Sequence, residues 1–348
     1  MSAEPTHPCL RCGTPVAPGI SPCETCNPGA LAQPAASQAH GTVWIDRPPP
    51  GGGVQPMTAD RRAADLAFAV ALAERAGRLV ASRYGRVESI DYKGARDIVT
   101  EVDTASEALV QRAIRRRFPG DGFLGEEGGS RPAGPGGRPA IGPGHPPLAP
   151  LAPDSPRRLD AGRTWVVDPL DGTVNFANAI PFFCFSLALV EDGRPVVAVI
   201  RDPLRRETFA ATAEGPATLD GRPVRVSAKP RLADAVVALA IGGRAAAARA
   251  RRVRRTIRIS RSMGSAALSL AYVANGRFDA FCQSIGLSAW DVAAAGLIAE
   301  RAGAVVTAMD GGPWFRVDAS TRTMGLLAAP AAHHARLLEL LREPQGPA

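Results

Sequence analysis

The chain has 348 residues, 45% of them hydrophobic, enough to bury one large α/β unit or two medium domains. No apolar run reaches the ~18 residues that a membrane-crossing helix needs, and the N-terminus lacks a charged-then-apolar leader, so membrane and secreted classes are set aside and a cytoplasmic protein is expected. The formal net charge of +8 comes almost wholly from arginine, Lys93 and Lys229 being the only lysines. The chain is also rich in Ala, Gly and Pro, so GC-rich codons account for much of that balance; the excess would still attract phosphorylated molecules.

In chain order, Cys9-x2-Cys12 and Cys23-x2-Cys26 come first, with Gly13 and Pro28 placed to turn the chain. Four thiolates at this spacing suit tetrahedral Zn²⁺, and residues 1–28 resemble a short zinc ribbon, a kind of module that docks protein or RNA partners. A disulfide pair is the alternative, disfavoured in a reducing compartment. A module this small folds only around its metal. Residues 29–57, dominated by Pro, Gly and Ala, read as a flexible linker, and Met57 offers an alternative start that would omit the cysteines.

Ala63 to Tyr84 carries Leu66, Val70, Ala73, Ala76 and Val80 at helical spacing, and Asp103 to Phe118 repeats the pattern with Leu109, Ala113 and Phe118. Residues 130–162, rich in Pro and Gly, are expected to be a disordered surface insertion away from the chemistry. Strand signals follow at Ser186 to Val190, Val196 to Ile200 and Thr208 to Ala211, then at Leu219 to Val226 around an Asp220-Gly221 turn. The arginines between Val236 and Ser260 read mainly as a solvated face. Helices are expected over Ala266 to Asn275 and Asp291 to Ala302, a strand over Phe278 to Cys282, late strands after Gly303 and from Gly325, and a last helix over Ala332 to Leu341.

One apolar run ends in Trp165-Val166-Val167-Asp168-Pro169-Leu170-Asp171-Gly172-Thr173-Val174-Asn175-Phe176. Two carboxylates leaving a strand through one tight turn make a hard-cation site. Pro169 has no N–H and a preset φ, so the turn can aim both acids outward and leave the Leu170 carbonyl as a further oxygen donor. Gly172-Thr173 then opens a short helical segment whose first N–H groups can hold an anion. A surface turn of the Asp-Pro, Asp-Gly kind would use the same residues.

The stretch resembles the D-P-[IL]-D-G-T-x-N-F signature of the inositol monophosphatase family. Phe123-Leu124-Gly125-Glu126-Glu127 is similar to that family's G-E-E segment, and Trp290-Asp291-Val292-Ala293-Ala294-Ala295-Gly296 to its W-D-x-A-A-x-G segment. Lys93 to Asp103 and Arg261 to Ala267 resemble its K…D-[LI]-V-T-x-x-D and R-x-x-G-[ST]-A-A segments. The resemblance implies a catalytic domain over 58–343 with an α/β (α+β) fold, a layered α-β-α-β-α sandwich of the sugar phosphatase type, preceded by the small zinc ribbon.

The resemblance also implies a Mg²⁺-dependent, lithium-sensitive phosphomonoesterase. Its metal ligands would be Glu126, Asp168, Leu170 through its carbonyl, Asp171 and Asp291, binding two or three Mg²⁺ ions that share Asp168. An oxygen-only donor set does select hard cations. Taken singly, Asp291 reads as a helix cap and Glu126 as a solvated loop acid. Thr173 with Asp103 would polarise the attacking water, with Glu126 also catalytic. Gly172, Thr173, Gly264, Ser265 and Ala266 would line the phosphate and alcohol pocket. Inositol-type members place a glutamate just before W-D; here Gln283 and Ser284 stand near that place, so histidinol phosphate and fructose 1,6-bisphosphate stay open beside inositol 1-phosphate. A rival reading makes the fold a scaffold for RNA or protein binding through the ribbon. A homodimer is left open.

Overall fold

The computed structural model describes residues 56–94, 97–127, 130–131, 162–242, 246–316 and 322–342, together with the short strands β1 (His7–Pro8) and β2 (Pro15–Val16). The latter two pair antiparallel, His7 opposite Val16. Cys9, Cys12, Cys23 and Cys26, the linker and positions 132–161 lie outside the described residues.

Helix α1 (Pro56–Arg83) and helix α2 (Glu101–Arg117) each turn an apolar stripe inward, Leu72, Ala73 and Ala76 on one, Val110, Ala113 and Ile114 on the other. A hairpin of β3 (Ile90–Gly94) and β4 (Asp97–Thr100) joins them. Helix α2 starts two residues before the expected Asp103. Thr100 is its cap: the Thr100 hydroxyl accepts from Val102 N at 3.2 Å, and the Asp103 carboxylate accepts from Thr100 N at 2.9 Å.

These helices pack on an eight-stranded sheet. Its strands are β5 (Gly122–Gly125), β6 (Ser130–Arg131), β7 (Arg163–Asp171), β8 (Cys184–Glu191), β9 (Arg194–Asp202), β10 (Glu207–Thr212), β11 (Thr218–Leu219) and β12 (Arg222–Pro223). The order is β12-β11-β10-β9-β8-β7-β5-β6, antiparallel except for β5 with β7. The expected long strand around Asp220-Gly221 shrinks to the β11–β12 hairpin, and the start of the expected insertion, Ser130–Arg131, is edge strand β6.

Side chains alternate across the sheet. Trp165, Val167, Phe185, Leu187 and Leu189 meet α1 and α2, while Val166, Cys184, Ala188 and Val190 meet the opposite layer of α5 (Ala266–Ala274) and α6 (Ala289–Arg301). Burial on both faces explains the unbroken apolar runs of β7 to β9. Each fully buried Leu, Val or Phe there contributes ~1.5–3 kcal/mol.

Beyond α5 and α6 lies a five-stranded sheet ordered β14 (Ile259–Arg261), β13 (Val236–Ala240), β15 (Ala280–Leu287), β17 (Met324–Pro330) and β16 (Ala304–Ala308). Its outer face, with Val237, Leu239, Cys282 and Leu327, is covered by α4 (Ala247–Thr256) and α7 (Ala331–Leu341) through Val253, Leu337 and Leu341. The stack is therefore helix, sheet, helix, sheet, helix, as expected. The arginine-rich stretch is α4: Ala250 and Val253 face inward and Arg251, Arg254 and Arg255 are exposed. The parallel pairs of β13 with β14 and β15 had no counterpart in the expected elements.

Candidate active site

Asp168 and Asp171 do not leave a strand end through a turn; both belong to β7, and a bulge lies between them. Asp168 pairs with Ser186 and Asp171 with Cys184, so β7 spends one residue more than β8. In a regular strand, residues three apart point to opposite faces. The extra residue cancels that offset, and Pro169, which has no N–H to pair, sits inside it. Both carboxylates thus reach the same side, and Asp168 Oδ1 accepts from Leu170 N at 3.0 Å.

Asp291 comes from the first turn of α6. Its Oδ2 accepts from Ser288 N at 2.6 Å in a capping box, so the capping role is real. It does not exclude another. Oxygens of Asp168, Asp171 and Asp291 lie within 4.8 Å of one another, a grouping able to hold a metal ion. Glu126, just after β5, stands outside this tight group but lines the same cavity.

Burial first, then the charges of Glu126, Asp171 and Asp291, push the Asp168 carboxyl well above the ordinary range. Asp291 is raised in the same way, by burial and then by Asp171 and Glu126. Asp171 is raised by burial, opposed by hydrogen bonds from Ser265, Ala267 and Ala266. Packed carboxylates that repel one another at such cost fit a bound cation, and oxygen donors without histidine or thiolate fit a hard one.

Asp103 reaches the cluster from α2. Fully buried, its carboxyl is raised by burial against hydrogen bonds from Thr100 and Thr173. The Thr173 hydroxyl lies 2.9 Å from Asp103 Oδ1 and 3.0 Å from Leu170 O, with one proton to give.

A cavity of about 350 Å³ opens over these groups, lined by Glu126, Asp168, Leu170, Asp171, Gly172, Thr173, Gly264, Ser265, Ala266, Gln283 and Asp291 among others. Its size suits a small ligand. Gly172 and Gly264 both have left-handed backbones, φ +99 and +77, and a Cβ on Gly264 would meet the Asn175 amide at 2.9 Å. Ser284 is placed differently: it lies outside the lining, and its hydroxyl accepts from Gly242 N at 3.4 Å. Cys184 and Cys282 are buried free thiols. Burial pushes Cys282 up to about 12 and Cys184 well above the ordinary thiol range, so neither offers a thiolate.

Three residues at the site carry roles that the sequence did not assign, although Asn175 stands in the quoted motif. Glu107 Oε2 accepts from Glu127 N at 2.8 Å and so holds the loop that presents Glu126. An acid four residues after Asp103 on an otherwise inward-facing helix stripe was the available signal. Asn175 donates to Phe182 O at 2.6 Å and to Met263 O at 2.7 Å, joining the β7 motif to the Gly264 loop. Arg322, the third, lines the cavity and gave no local signal.

The family model for the inositol monophosphatase family matches residues 62–345. The chain belongs to the inositol monophosphatase family. It is 36% identical over 245 residues, 68% of this chain and 84% of the relative, to inositol monophosphatase 2 of Solanum lycopersicum. It is 34% identical over 255 residues, 71% of this chain and 86% of the relative, to the Nus factor SuhB of Escherichia coli K12. The crystal structure of the extragenic suppressor protein suhB from Bartonella henselae superposes with a TM-score of 0.67 at 32% identity, covering 80% of this chain and 99% of that one. Members of the family are Mg²⁺-dependent phosphatases that hydrolyse phosphate monoesters, and this chain is an enzyme of that class. Among the described residues no helix is long and apolar enough to cross a membrane.

Proposed function

We propose that the chain hydrolyses a small polyol phosphate, inositol 1-phosphate first among them, at the cavity over Asp168, Asp171 and Asp291. The observation that carries this reading is the convergence of those three carboxylates within 4.8 Å beside the hydrogen-bonded pair Thr173 and Asp103. Asp168, Asp171, Asp291, Glu126 and the Leu170 carbonyl would hold two or three Mg²⁺ ions. Bound there, the ions supply Lewis-acid charge to the phosphoryl oxygens and lower the pKa of a water. Gly172, Thr173, Gly264, Ser265 and Ala266 seat the ester, and Gln283 offers an uncharged contact to its hydroxyls.

The Thr173 proton goes to Asp103, a buried carboxylate and therefore the stronger acceptor. The Thr173 oxygen is then free to accept from the attacking water, and as the water loses its proton a relay through Thr173 delivers one proton to the Asp103 carboxylate, whose affinity for it is raised by burial. Water oxygen bonds to phosphorus, the ester P–O bond breaks, and the leaving alkoxide takes its proton from a second, solvent water. No covalent phosphoenzyme is required. Glu126, held by the Glu107 contact to its neighbour, orients the water from the other side.

The decisive experiment is a phosphate-release panel in Mg²⁺ and in EDTA over inositol 1-phosphate, histidinol phosphate, fructose 1,6-bisphosphate and adenosine 3′,5′-bisphosphate. Inositol 1-phosphate should be preferred and EDTA should abolish release; equal rates with and without Mg²⁺ would sink the mechanism.

For the N-terminal module we propose one structural Zn²⁺ on Cys9, Cys12, Cys23 and Cys26, supported by the paired C-x-x-C spacing. A second reading, in which the chain also docks an RNA or protein partner from the cytoplasm, is favoured by its likeness to a protein named Nus factor SuhB. Co-purification of an RNA or protein dependent on residues 1–28 would test it. A homodimer would show in its mass in solution.

A further inference from the structure

Helix α2 turns one stripe toward the site, Asp103, Ser106, Glu107 and Val110, at the i, i+3, i+4, i+7 spacing of a single helical face. All four are buried, yet only Val110 is apolar. Buried polar groups need partners, and each of the three finds one on a different segment of the site. Asp103 Oδ1 accepts from the Thr173 hydroxyl at 2.9 Å, just after β7. Ser106 Oγ donates to Pro169 O at 3.3 Å, inside the β7 bulge. Glu107 Oε2 accepts from Glu127 N at 2.8 Å, on the loop after β5. The helix cannot slide to favour one segment over another, because Asp103 Oδ2 also closes its capping box on Thr100 N.

The Glu107 contact has a counterpart in the strand it reaches. Gly125, the last residue of β5, has room for hydrogen alone on that side: a Cβ there would overlap the Glu107 carboxylate, with Oε1 at 2.8 Å. Gly125 is not among the left-handed glycines, so the close approach, and not a turn, is what calls for glycine here. We propose that α2 is the template that sets the spacing of the catalytic segments, and that Glu107 and Gly125 are the matched pair that positions Glu126 for the ion it binds. The inference rests on the phosphatase reading and adds positioning residues to it, both acting through Glu126. Glu126 stands outside the tight group of Asp168, Asp171 and Asp291. Disturbing the pair should therefore affect the ion that needs Glu126 and spare the ion held by the three aspartates. A merely structural Glu107 would move every metal site or none.

The experiment uses the full chain with Mn²⁺ alone as metal probe, by calorimetry, and Glu126→Gln marks which class of bound ion depends on Glu126. Glu107→Ala should weaken that class about ten-fold, the scale of one lost hydrogen bond to a charged group, and leave the other within about two-fold. Glu107→Gln keeps the size and an acceptor, so it should fall between wild type and Glu107→Ala and keeps the test open if the alanine variant does not fold. Gly125→Ala should copy Glu107→Ala, because the added methyl displaces the end of a flexible side chain rather than the strand. The double variant should be no worse than Glu107→Ala alone, since the methyl then meets no carboxylate. In EDTA, hydrogen exchange at the Glu127 amide should quicken in Glu107→Ala and in Gly125→Ala. Equal weakening of both ion classes, weakening of neither, additive effects of the two substitutions or unchanged exchange at Glu127 overturns the proposal. The expected metal and exchange results with no phosphate released from any ester would instead overturn the phosphatase reading alone.

Discussion

The Ser265 hydroxyl donates to Asp171 Oδ2 at 2.5 Å, joined there by Ala267 N at 2.7 Å, while Ala266 N reaches Oδ1 at 3.3 Å. The start of α5 thus grips a carboxylate on β7, and a segment expected to line the substrate pocket also holds a metal-ligand candidate in place. Ser265→Ala removes one hydrogen bond to a buried charge, worth ~1.5–3 kcal/mol. The Mg²⁺ concentration for half-maximal rate should rise ~10-fold or more, with the fold intact by circular dichroism. An unchanged requirement would mean that the two backbone donors suffice.

Thr173 and Asp103 are assigned to the water rather than to the metal. Thr173→Ala should lower kcat by roughly 10²-fold, the usual scale for lost acid–base assistance, while metal affinity stays near wild type. Titration of Mg²⁺ against rate separates the two roles: a main effect on the metal requirement assigns Thr173 to metal retention instead.

The carboxylate cluster also predicts how stability varies with pH. Asp168, Asp171 and Asp291 are all raised in the folded chain, so without metal the native state binds more protons than the unfolded one. Their stabilising contribution is complete below the ordinary carboxylate pKa and is lost as pH rises through the raised values. In EDTA, Tm should therefore fall between acidic and mildly alkaline pH, and the gain in Tm from Mg²⁺ should grow over the same interval as metal displaces protons. Asp168→Asn should flatten the fall and melt higher than wild type in EDTA at alkaline pH. A wild-type Tm no lower than that of the variant there would contradict the assigned repulsion.

Removal of the N-terminal module should spare the enzyme. The family match begins at residue 62, after Met57. A chain starting at Met57 should keep kcat/KM within a few-fold and lose one Zn²⁺ per chain by metal analysis, because every proposed Mg²⁺ ligand lies within the family match. An inactive truncated chain, or a full-length chain without zinc, would show that the N-terminus is not a separate zinc-bound appendage.

Much of this protein was determined locally and could be read from its sequence. The helical spacing of Ala73, Ala76 and Val80, the apolar runs of β7 to β9 and the motifs around Glu126, Asp168, Asp171, Thr173 and Asp291 all express neighbours along the chain. Other features exist only once distant segments meet. The bulge that turns Asp168 and Asp171 to one side depends on the register with β8; the Thr173 hydroxyl finds Asp103 across 70 residues, and Ser265 finds Asp171 across 94. Arg322 near Glu126 and the parallel pairing of β13 with β15 are likewise contacts through space. Periodicity records which face of an element is buried, because burial acts on each residue in turn. It does not record which faces meet, because that choice is made by closing long loops against competing pairings, and the tertiary structure alone holds the outcome.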